Sequence, residues 1–471
     1  MISLIFSSLL FLYIFLPLSL IVYYIAPKKM RNFILLIISL VFYGWGEPIY
    51  ILLMIAAIII EYLGAILIDK SREDKEKSTF IFVTVLVINL SMLFFFKYYG
   101  FLIDNINIIF GTSLRIKSLP LPLGISFYTF KLISYLVDVY RGKVKVQKNI
   151  INFGVYIAMF PQLLAGPIEQ YSNIYEQIEN RKETISKFGD GAEKFVIGLG
   201  KKVIIANNLA IVWTQVKSLQ SNEMSVLTAW IGIIAFTLQI YFDFSGYSDM
   251  AIGLGRMMGF EFLENFDYPY ISKSVTEFWR RWHISLGSWF RDYIYVPLGG
   301  NRCGTVVQIR NIFIVWFTTG LWHGASWNFI IWGLYFGVFI FIEKVFLHKI
   351  LKRIPGIIAN IYTMLLVVIS WVFFDIETLK GALAYIGNMF GIGSNGLKDS
   401  LSMYIINTNW VFFVIALVGA TPIVKNLITF LKERIQIPTI IIVVLFYSII
   451  ILISTAYLVN ESYSPFLYFK F

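Results

Sequence analysis

Apolar runs of about 20 residues recur from one end of the chain to the other, and they constrain the fold more than any other feature. A helix of that length crosses a hydrocarbon core of ~30 Å. Of the 471 residues only 14% are charged, whereas a soluble domain carries roughly a quarter. The sequence therefore predicts an all-α, polytopic membrane protein.

Clean spans are predicted at Ile5–Ala26, Ile49–Ile68, Thr79–Phe96, Val226–Phe242, Ile330–Ile342, Ile357–Phe374, Trp410–Val424 and Thr439–Leu458. The first lacks a basic leader and a small-residue cleavage site, which favours a retained span over a signal peptide. The net charge of +11 comes from lysines and arginines in short loops. Such loops are typical of a cytoplasmic face beside anionic lipid. We therefore expect contact with membrane lipid and no nucleic-acid partner.

Two further apolar segments are interrupted by proline and glycine. Leu119–Tyr140 begins PLPLGISFYTF, and Ile157–Tyr171 contains MFPQLLAGPIEQY. Irregular backbone at membrane depth persists only where protein or a water-filled cavity satisfies it. These pieces are therefore predicted to lie at the centre of the protein. The amphipathic stretch Lys187–Lys202 fits either a helix on the inner membrane surface or an ordinary lipid-facing connector.

The stretch FWRRWHISLGSWFRDYIYVPLGGNR contains His283. On a helical wheel Arg280, Arg281, Ser285 and Arg291 share one arc, and the aromatic side chains share the other. This pattern predicts one helix lying in the membrane interface, with His283 pointing into protein. A packed structural histidine and an active-site histidine both fit. The arginines fit lipid anchors or ligands for a phosphate-bearing donor, because guanidinium groups match phosphate geometry.

A second histidine, His323, follows an apolar run from Asn311 to Trp322. As a helix, those residues reach only ~18 Å from the basic inner side. His323 is therefore predicted at membrane depth, followed by Gly324 as a helix terminator. An ionisable residue at that depth is a functional-site candidate, and imidazole suits a general base. The alternative is a histidine that ties two helices together.

Further polar groups lie in QIYFDFSGYSDMAIG, which includes Asp243 and Tyr247. A carboxylate there would orient an imidazole or bind a cation, and the alternative is a capped helix end at the interface. The single Cys303 excludes an internal disulfide and any multi-cysteine metal site. We expect no metal, because the sequence offers no plausible set of ligands.

Taken together, these segments resemble the membrane-bound O-acyltransferase (MBOAT) family, in the bacterial branch typified by the alginate O-acetyltransferase. The similarity covers nearly the whole chain and is carried by FYGWGEP (42–48), PLGISFYTF (122–130), FPQLLAGPIEQY (160–171), DFSGYSDMAIGLG (243–255), the His283 stretch (278–302), GLWHGASWNFIIWG (320–333) and WVFF (371–374). The resemblance implies about 11 transmembrane helices, with interfacial and re-entrant helices, around a central funnel or tunnel. It also implies a single integral membrane domain, residues 1–471, with its catalytic core at about 119–343.

The resemblance also implies an activity and a set of site residues. His323 corresponds to the family's catalytic histidine and His283 to a second active-site polar position. His323 would take a proton from the acceptor hydroxyl, while His283, a neighbouring Trp or a backbone donor would stabilise the developing charge. Substrate or donor binding is expected from Arg280, Arg281, Trp282, Arg291, Trp322, Asn328, Asp243 and Tyr247.

The implied reaction moves an acetyl group from a cytoplasmic donor, acetyl-CoA, across the bacterial inner membrane for O-acetylation of an extracellular or cell-wall polysaccharide. No bound cofactor is implied. The implied partners are an extracellular protein of the SGNH-hydrolase type and the polysaccharide synthesis machinery.

Three other functions stay open at this point. An enzyme of the same family would transfer D-alanine from a carrier protein towards teichoic acid, and it would need a docking surface for the carrier. A glycan or lipid transporter would line a conduction path with these polar residues and would keep its function in His323→Ala. A structural scaffold for polymer export would stay active as long as it bound its partners.

Overall fold

All regular secondary structure in the described part of the chain is helical. The computed structural model describes residues 4–115, 119–302, 304–434, 437–460 and 466–467, so Cys303 lies outside the described residues. Within these described residues, eight helices are long and apolar enough to cross a membrane: Tyr50–Lys70, Lys75–Lys97, Ile185–Lys217, Val226–Met257, Trp327–Leu351, Gly356–Asp375, Ser400–Gly419 and Ile441–Asn460. Two apolar helices are shorter, Phe11–Ile25 and Tyr99–Phe110. The predicted all-α, polytopic membrane fold is confirmed.

The predicted spans differ from the observed helices mainly at their ends. The first one shortens to Phe11–Ile25. The span predicted to begin at Trp410 begins instead at Ser400, because Asp399 caps that helix by accepting a hydrogen bond from the Ser402 backbone N–H at 2.7 Å. It ends at Gly419.

The stretch Lys187–Lys202 is not a separate connector. It is part of the continuous helix Ile185–Lys217, which is long and apolar enough to span a membrane. The sequence was misleading here because Lys202 looks like a loop residue. In the structure its ammonium group is buried and forms an ion pair with Asp243, which makes its charge compatible with a buried helix.

The chain divides into two compact units. The first comprises residues 1–195 and 248–263. Its remaining helices are Arg31–Gly46, Ile125–Tyr140, Ile150–Ala158, Phe160–Leu163 and Tyr171–Asn180, with a 3₁₀ turn at Lys28–Met30. The two interrupted segments lie in this unit. The second is buried throughout, as predicted, whereas the first is mostly buried only from Ile125 onward and its proline-containing start, residues 119–124, is partly exposed. The two segments pack closely at Gly124, which has φ +73°. Only glycine fits there, because a Cβ would lie 2.6 Å from the carbonyl oxygen of Leu163.

The second unit comprises residues 196–247 and 264–471 and contains both candidate histidines. Its shorter helices are Val275–Arg281, Ile284–Phe290, Thr305–His323, Leu379–Met389 and Ile423–Arg434, and its last helix is Ile437–Asn460. Short 3₁₀ turns occur at Ser221–Glu223 and Pro269–Ile271. Single π-helical turns extend neighbouring helices at Lys201–Ala206, Arg291–Tyr295 and Glu343–Leu347.

Candidate active site

His323 is the last residue of the Thr305–His323 helix, and a short turn at 324–326 leads into the Trp327–Ile342 helix. The helix has 19 residues, so the predicted half-length segment is wrong. The sequence was misleading because Arg310 and Asn311 look like a helix boundary. Both side chains donate hydrogen bonds to the Leu298 carbonyl, at 3.3 and 3.1 Å. Because their polar groups are paired in this way, the helix continues through both residues.

Glycines allow these two helices to pack against each other. A Cβ at Gly333 would lie 2.2 Å from the Trp316 carbonyl oxygen, and a Cβ at Gly320 would lie 2.3 Å from that of Phe329. Gly324 follows the helix end as predicted, but its backbone is extended. Glycine is needed there because a Cβ would lie 2.3 Å from the Phe329 ring. The hairpin that carries His323 therefore depends on close backbone contact.

Aromatic rings surround His323, which is 3% exposed. The imidazole centroid lies 4.9 Å from both Trp322 and Trp332, and 5.3 Å from Phe374. These three rings meet the imidazole at steep angles of 76°, 83° and 76°. The imidazole is thus positioned by tightly packed rings of limited mobility.

His283 lies at a break between two helices, and the predicted single interfacial helix is therefore wrong. Val275–Arg281 ends before it and Ile284–Phe290 begins after it. Its backbone is left-handed, with φ 45° and ψ 54°, a conformation that costs a non-glycine residue about 1–2 kcal/mol. Such strain is found at functional sites. The prediction that the side chain points into protein is confirmed, since His283 is 1% exposed.

Asn265 holds this break together and was not found by sequence reasoning. Its side-chain oxygen lies 3.1 Å from Nδ1 of His283 and accepts hydrogen bonds from the backbone N–H and the hydroxyl of Ser285, at 3.1 and 2.9 Å. Its backbone carbonyl accepts from the Ile284 N–H at 3.0 Å. Burial lowers the pKa of His283 to about 3, so the ring is neutral at physiological pH.

A buried glutamate connects the two histidine-bearing regions. Glu343, which follows the Trp327–Ile342 helix, accepts hydrogen bonds from the backbone N–H groups of Val275 and Thr276 at 2.6 and 2.9 Å. The Thr276 hydroxyl also donates to it, at 2.8 Å. A carboxylate at a helix start satisfies donors that the helix cannot. The helix before His283 is thereby fixed to the hairpin that carries His323.

Both histidines also pack on Trp322. Its ring centroid lies 4.9 Å from that of His323 and 6.2 Å from that of His283. Phe244 closes the other side of His283, with ring centroids 4.6 Å apart. The structure therefore brings His283, Trp322 and His323 together into one buried cluster, which we call the histidine cluster.

The other predicted site residues have different surroundings. Trp282 packs in an aromatic group, 5.1 Å from Trp371. Asn328 donates to the Ile376 carbonyl. Asp243 pairs with Lys202 and also accepts from the Leu467 N–H, and the Tyr247 ring meets Phe466.

The three arginines lie outside the aromatic packing around the histidines. Arg281 pairs with Glu277 and Asp267, and Arg291 pairs with Asp292. Arg280 is exposed. Among the residues that the structure describes, no group of three or more His, Cys, Asp or Glu side chains is placed to hold a metal ion.

Comparison with known proteins identifies the family. A family model described as MBOAT, membrane-bound O-acyltransferase family, matches residues 145–374, which include both histidines. The "Probable alginate O-acetylase AlgI" of Pseudomonas aeruginosa is 43% identical over 399 residues, covering 84% of this chain and 76% of that protein. The protein of the same name from Pseudomonas putida is 39% identical over 492 residues, covering 99% of this chain and 100% of its own.

A third relative carries a different name. The "Peptidoglycan O-acetyltransferase" of Helicobacter pylori is 33% identical over 430 residues, covering 84% of this chain and 81% of that protein. The chain therefore belongs to the membrane-bound O-acyltransferase family. It is a multi-pass O-acyltransferase of a bacterial inner membrane.

Proposed function

We propose that the protein takes an acetyl group from acetyl-CoA on the cytoplasmic side of the membrane and supplies it for O-acetylation of an extracellular or cell-wall polysaccharide. An extracellular partner of the SGNH-hydrolase type completes the transfer, together with the polysaccharide synthesis machinery. The similarity to relatives named for acetylation of alginate and of peptidoglycan supports this substrate class.

The observation that carries the proposal is the histidine cluster, in which two buried imidazoles pack on one tryptophan. His323 removes the proton from an acceptor hydroxyl while the oxygen of that hydroxyl attacks the thioester carbonyl. The new C–O bond replaces the C–S bond, and the proton leaves with the CoA thiol. Exclusion of water by the surrounding rings favours acyl transfer over hydrolysis.

The negative charge that develops on the carbonyl oxygen needs a hydrogen-bond donor. Trp332 is a candidate for this donor, because its ring lies 4.9 Å from that of His323. Its indole nitrogen is buried, and no hydrogen-bond partner for it lies among the described residues. A preorganised donor in a dry site contributes strongly to acyl transfer. Arg280, Arg281 and Arg291 are proposed to bind the phosphates of the donor.

The experiment compares donors and variants of the full-length protein in membrane vesicles. Labelled acetyl-CoA and a carrier protein charged with labelled D-alanine are supplied separately, and consumption of each is measured. We expect acetyl-CoA to be consumed, and His323→Gln to lower that rate by at least ~10²-fold, because a general base contributes that much.

The matched control is His348→Gln, which removes the third histidine of the chain at an exposed position and is expected to keep full activity. Consumption of the charged carrier alone would instead identify a D-alanyl transferase. A folded His323→Gln protein that still supports acetylation of the polymer in cells would exclude His323 as the general base of the transfer.

A further inference from the structure

The amide group of Asn265 has only one orientation that fits its surroundings. The backbone N–H of Ser285 lies 3.1 Å from the atom assigned as Oδ1, and a backbone N–H can only donate. If the amide were turned over, its NH₂ group would face that N–H at the same distance, and two donors would oppose each other in a buried site. Oxygen therefore faces Ser285, an assignment that depends on chemistry and not on the placement of hydrogens.

The same oxygen lies 3.1 Å from Nδ1 of His283. A side-chain amide oxygen only accepts hydrogen bonds, so Nδ1 must carry the hydrogen. A neutral imidazole has a single ring N–H, and Nε2 therefore holds the lone pair. Asn265 also accepts from the Ile284 N–H through its backbone carbonyl. Asn265 therefore also restrains the His283 ring indirectly, through its hydrogen bonds to Ile284 and Ser285, the two residues that follow His283.

We propose that Asn265 is a positioning residue that holds the neutral His283 ring as its Nδ1–H tautomer, which makes Nε2 a proton acceptor. In this form His283 accepts a hydrogen bond from an O–H or N–H group of a substrate and cannot donate one to an oxyanion. Of the donors considered for the developing charge, this leaves a tryptophan or the backbone. The catalytic meaning rests on the proposed function, whereas the tautomer does not.

The tautomer can be read directly by nitrogen NMR, because the chain has only three histidines. Full-length protein labelled with ¹⁵N-histidine is measured in detergent near neutral pH, where protonated and unprotonated ring nitrogens have well-separated signals. His283→Gln, His323→Gln and His348→Gln assign the three rings. We expect His283 to show a protonated Nδ1 and an unprotonated Nε2. A protonated Nε2 beside an unprotonated Nδ1 in the unmodified protein would overturn the proposal without any further variant.

Variants of Asn265 test the cause of that tautomer. Asn265→Leu removes the acceptor, and we expect the signals of a single tautomer to be lost and kcat for acetyl transfer to fall by at least ~10²-fold, as for other misplaced catalytic imidazoles. Asn265→Asp keeps an oxygen facing Nδ1, so it is expected to keep the Nδ1 proton and to recover most of the activity. Its added negative charge favours the imidazolium form and moves the acid limb of the pH profile to higher pH.

The matched control is Asn388→Leu, at a position in the same unit that is also 1% exposed and whose amide donates to Ser221 instead. This variant is expected to keep the His283 tautomer. Retention of the Nδ1–H tautomer in folded Asn265→Leu would show that Asn265 does not set it. If the tautomer is lost in Asn265→Leu but a folded His283→Gln protein keeps full acetyl transfer, the positioning role stands and the proposed catalytic use of His283 fails.

Discussion

The two histidines are almost equally buried, yet the structure holds them by different means. His283 lies in a strained left-handed break between two short helices and is fixed by the side-chain oxygen of Asn265. His323 ends a 19-residue helix and lies within a box of aromatic rings. A directional hydrogen bond fixes which nitrogen of an imidazole carries the proton. Packing against aromatic rings fixes only the position of the imidazole.

This difference separates two requirements of acyl transfer. A group that only accepts a hydrogen bond benefits from a fixed tautomer, which His283 has. A group that takes up a proton and releases it in each turnover must be held in place while its charge changes, and aromatic faces suit this because they also attract a cation. Variants that alter one kind of support and keep the other therefore test the comparison.

The largest effect is expected from Trp332→Phe, which keeps an aromatic ring beside His323 and removes the indole N–H. We expect kcat to fall by ~10²–10³-fold, the usual cost of losing one oxyanion donor, together with some loss of thermal stability because the smaller ring leaves a cavity. Trp213→Phe is the control, because that indole donates to Asp375 at 2.7 Å. It is expected to lose ~1 kcal/mol of stability and to keep its activity. An unchanged kcat in Trp332→Phe would show that Trp332 packs against His323 but does not donate a hydrogen bond to the developing oxyanion.

An intermediate effect is expected from Gly333→Ala, which tests the close packing beneath His323. The added Cβ would lie 2.2 Å from the Trp316 carbonyl oxygen, so the helices must separate at a cost of about 1–3 kcal/mol. We expect a lower melting temperature and reduced acetyl transfer. Gly304→Ala, at the start of the same hairpin, meets nothing within 4 Å and is expected to change stability by less than ~0.5 kcal/mol. Equal melting temperatures for both variants would contradict the close-packing argument.

The smallest effect on activity near neutral pH is expected from the protonation of His283, which appears instead as a pH dependence of stability. The pKa of His283 is about 3 in the folded protein against 6.5 for a free imidazole. As the pH falls below about 6.5, His283 binds a proton in the unfolded chain but stays neutral in the folded protein. The free energy of unfolding therefore decreases by about 1.4 kcal/mol per pH unit below that pH. Melting temperatures measured from neutral pH to about pH 5 should fall more steeply for the unmodified protein than for His283→Gln. Parallel curves would show that the His283 ring accepts a proton in the folded state.

Much of the architecture was predictable because it depends on patterns local to the chain. Long apolar runs predicted seven of the eight helices in the described part of the chain that are able to span a membrane. Proline and glycine in the interrupted segments predicted buried breaks, and Pro161 and Gly166, which are both buried, confirm this for the second segment. The missed span, Ile185–Lys217, contains a lysine whose partner Asp243 lies 41 positions away along the chain, and no local pattern announces such a pair.

Local sequence patterns did not predict the structure around His283, and the helical wheel shows why. It placed Ser285 on the polar arc and His283 on the apolar arc, yet both side chains bond to the same oxygen of Asn265. The wheel assumes an unbroken helix, and the helix breaks at His283 because backbone groups of 265 and 267 pair with those of 284 and 281. Those bonds join segments that the sequence separates.

The sequence by itself determined that this protein is a helical membrane protein, and it singled out two histidines in apolar surroundings, because hydrophobicity and the cost of a buried polar group can be read residue by residue. Only the tertiary structure decided that both histidines pack on Trp322, that Asn265 faces Nδ1 of one and that Trp332 packs against the other. Hydrogen bonds and ring contacts need atoms within a few ångströms of each other. That proximity is set by the packing of segments far apart along the chain.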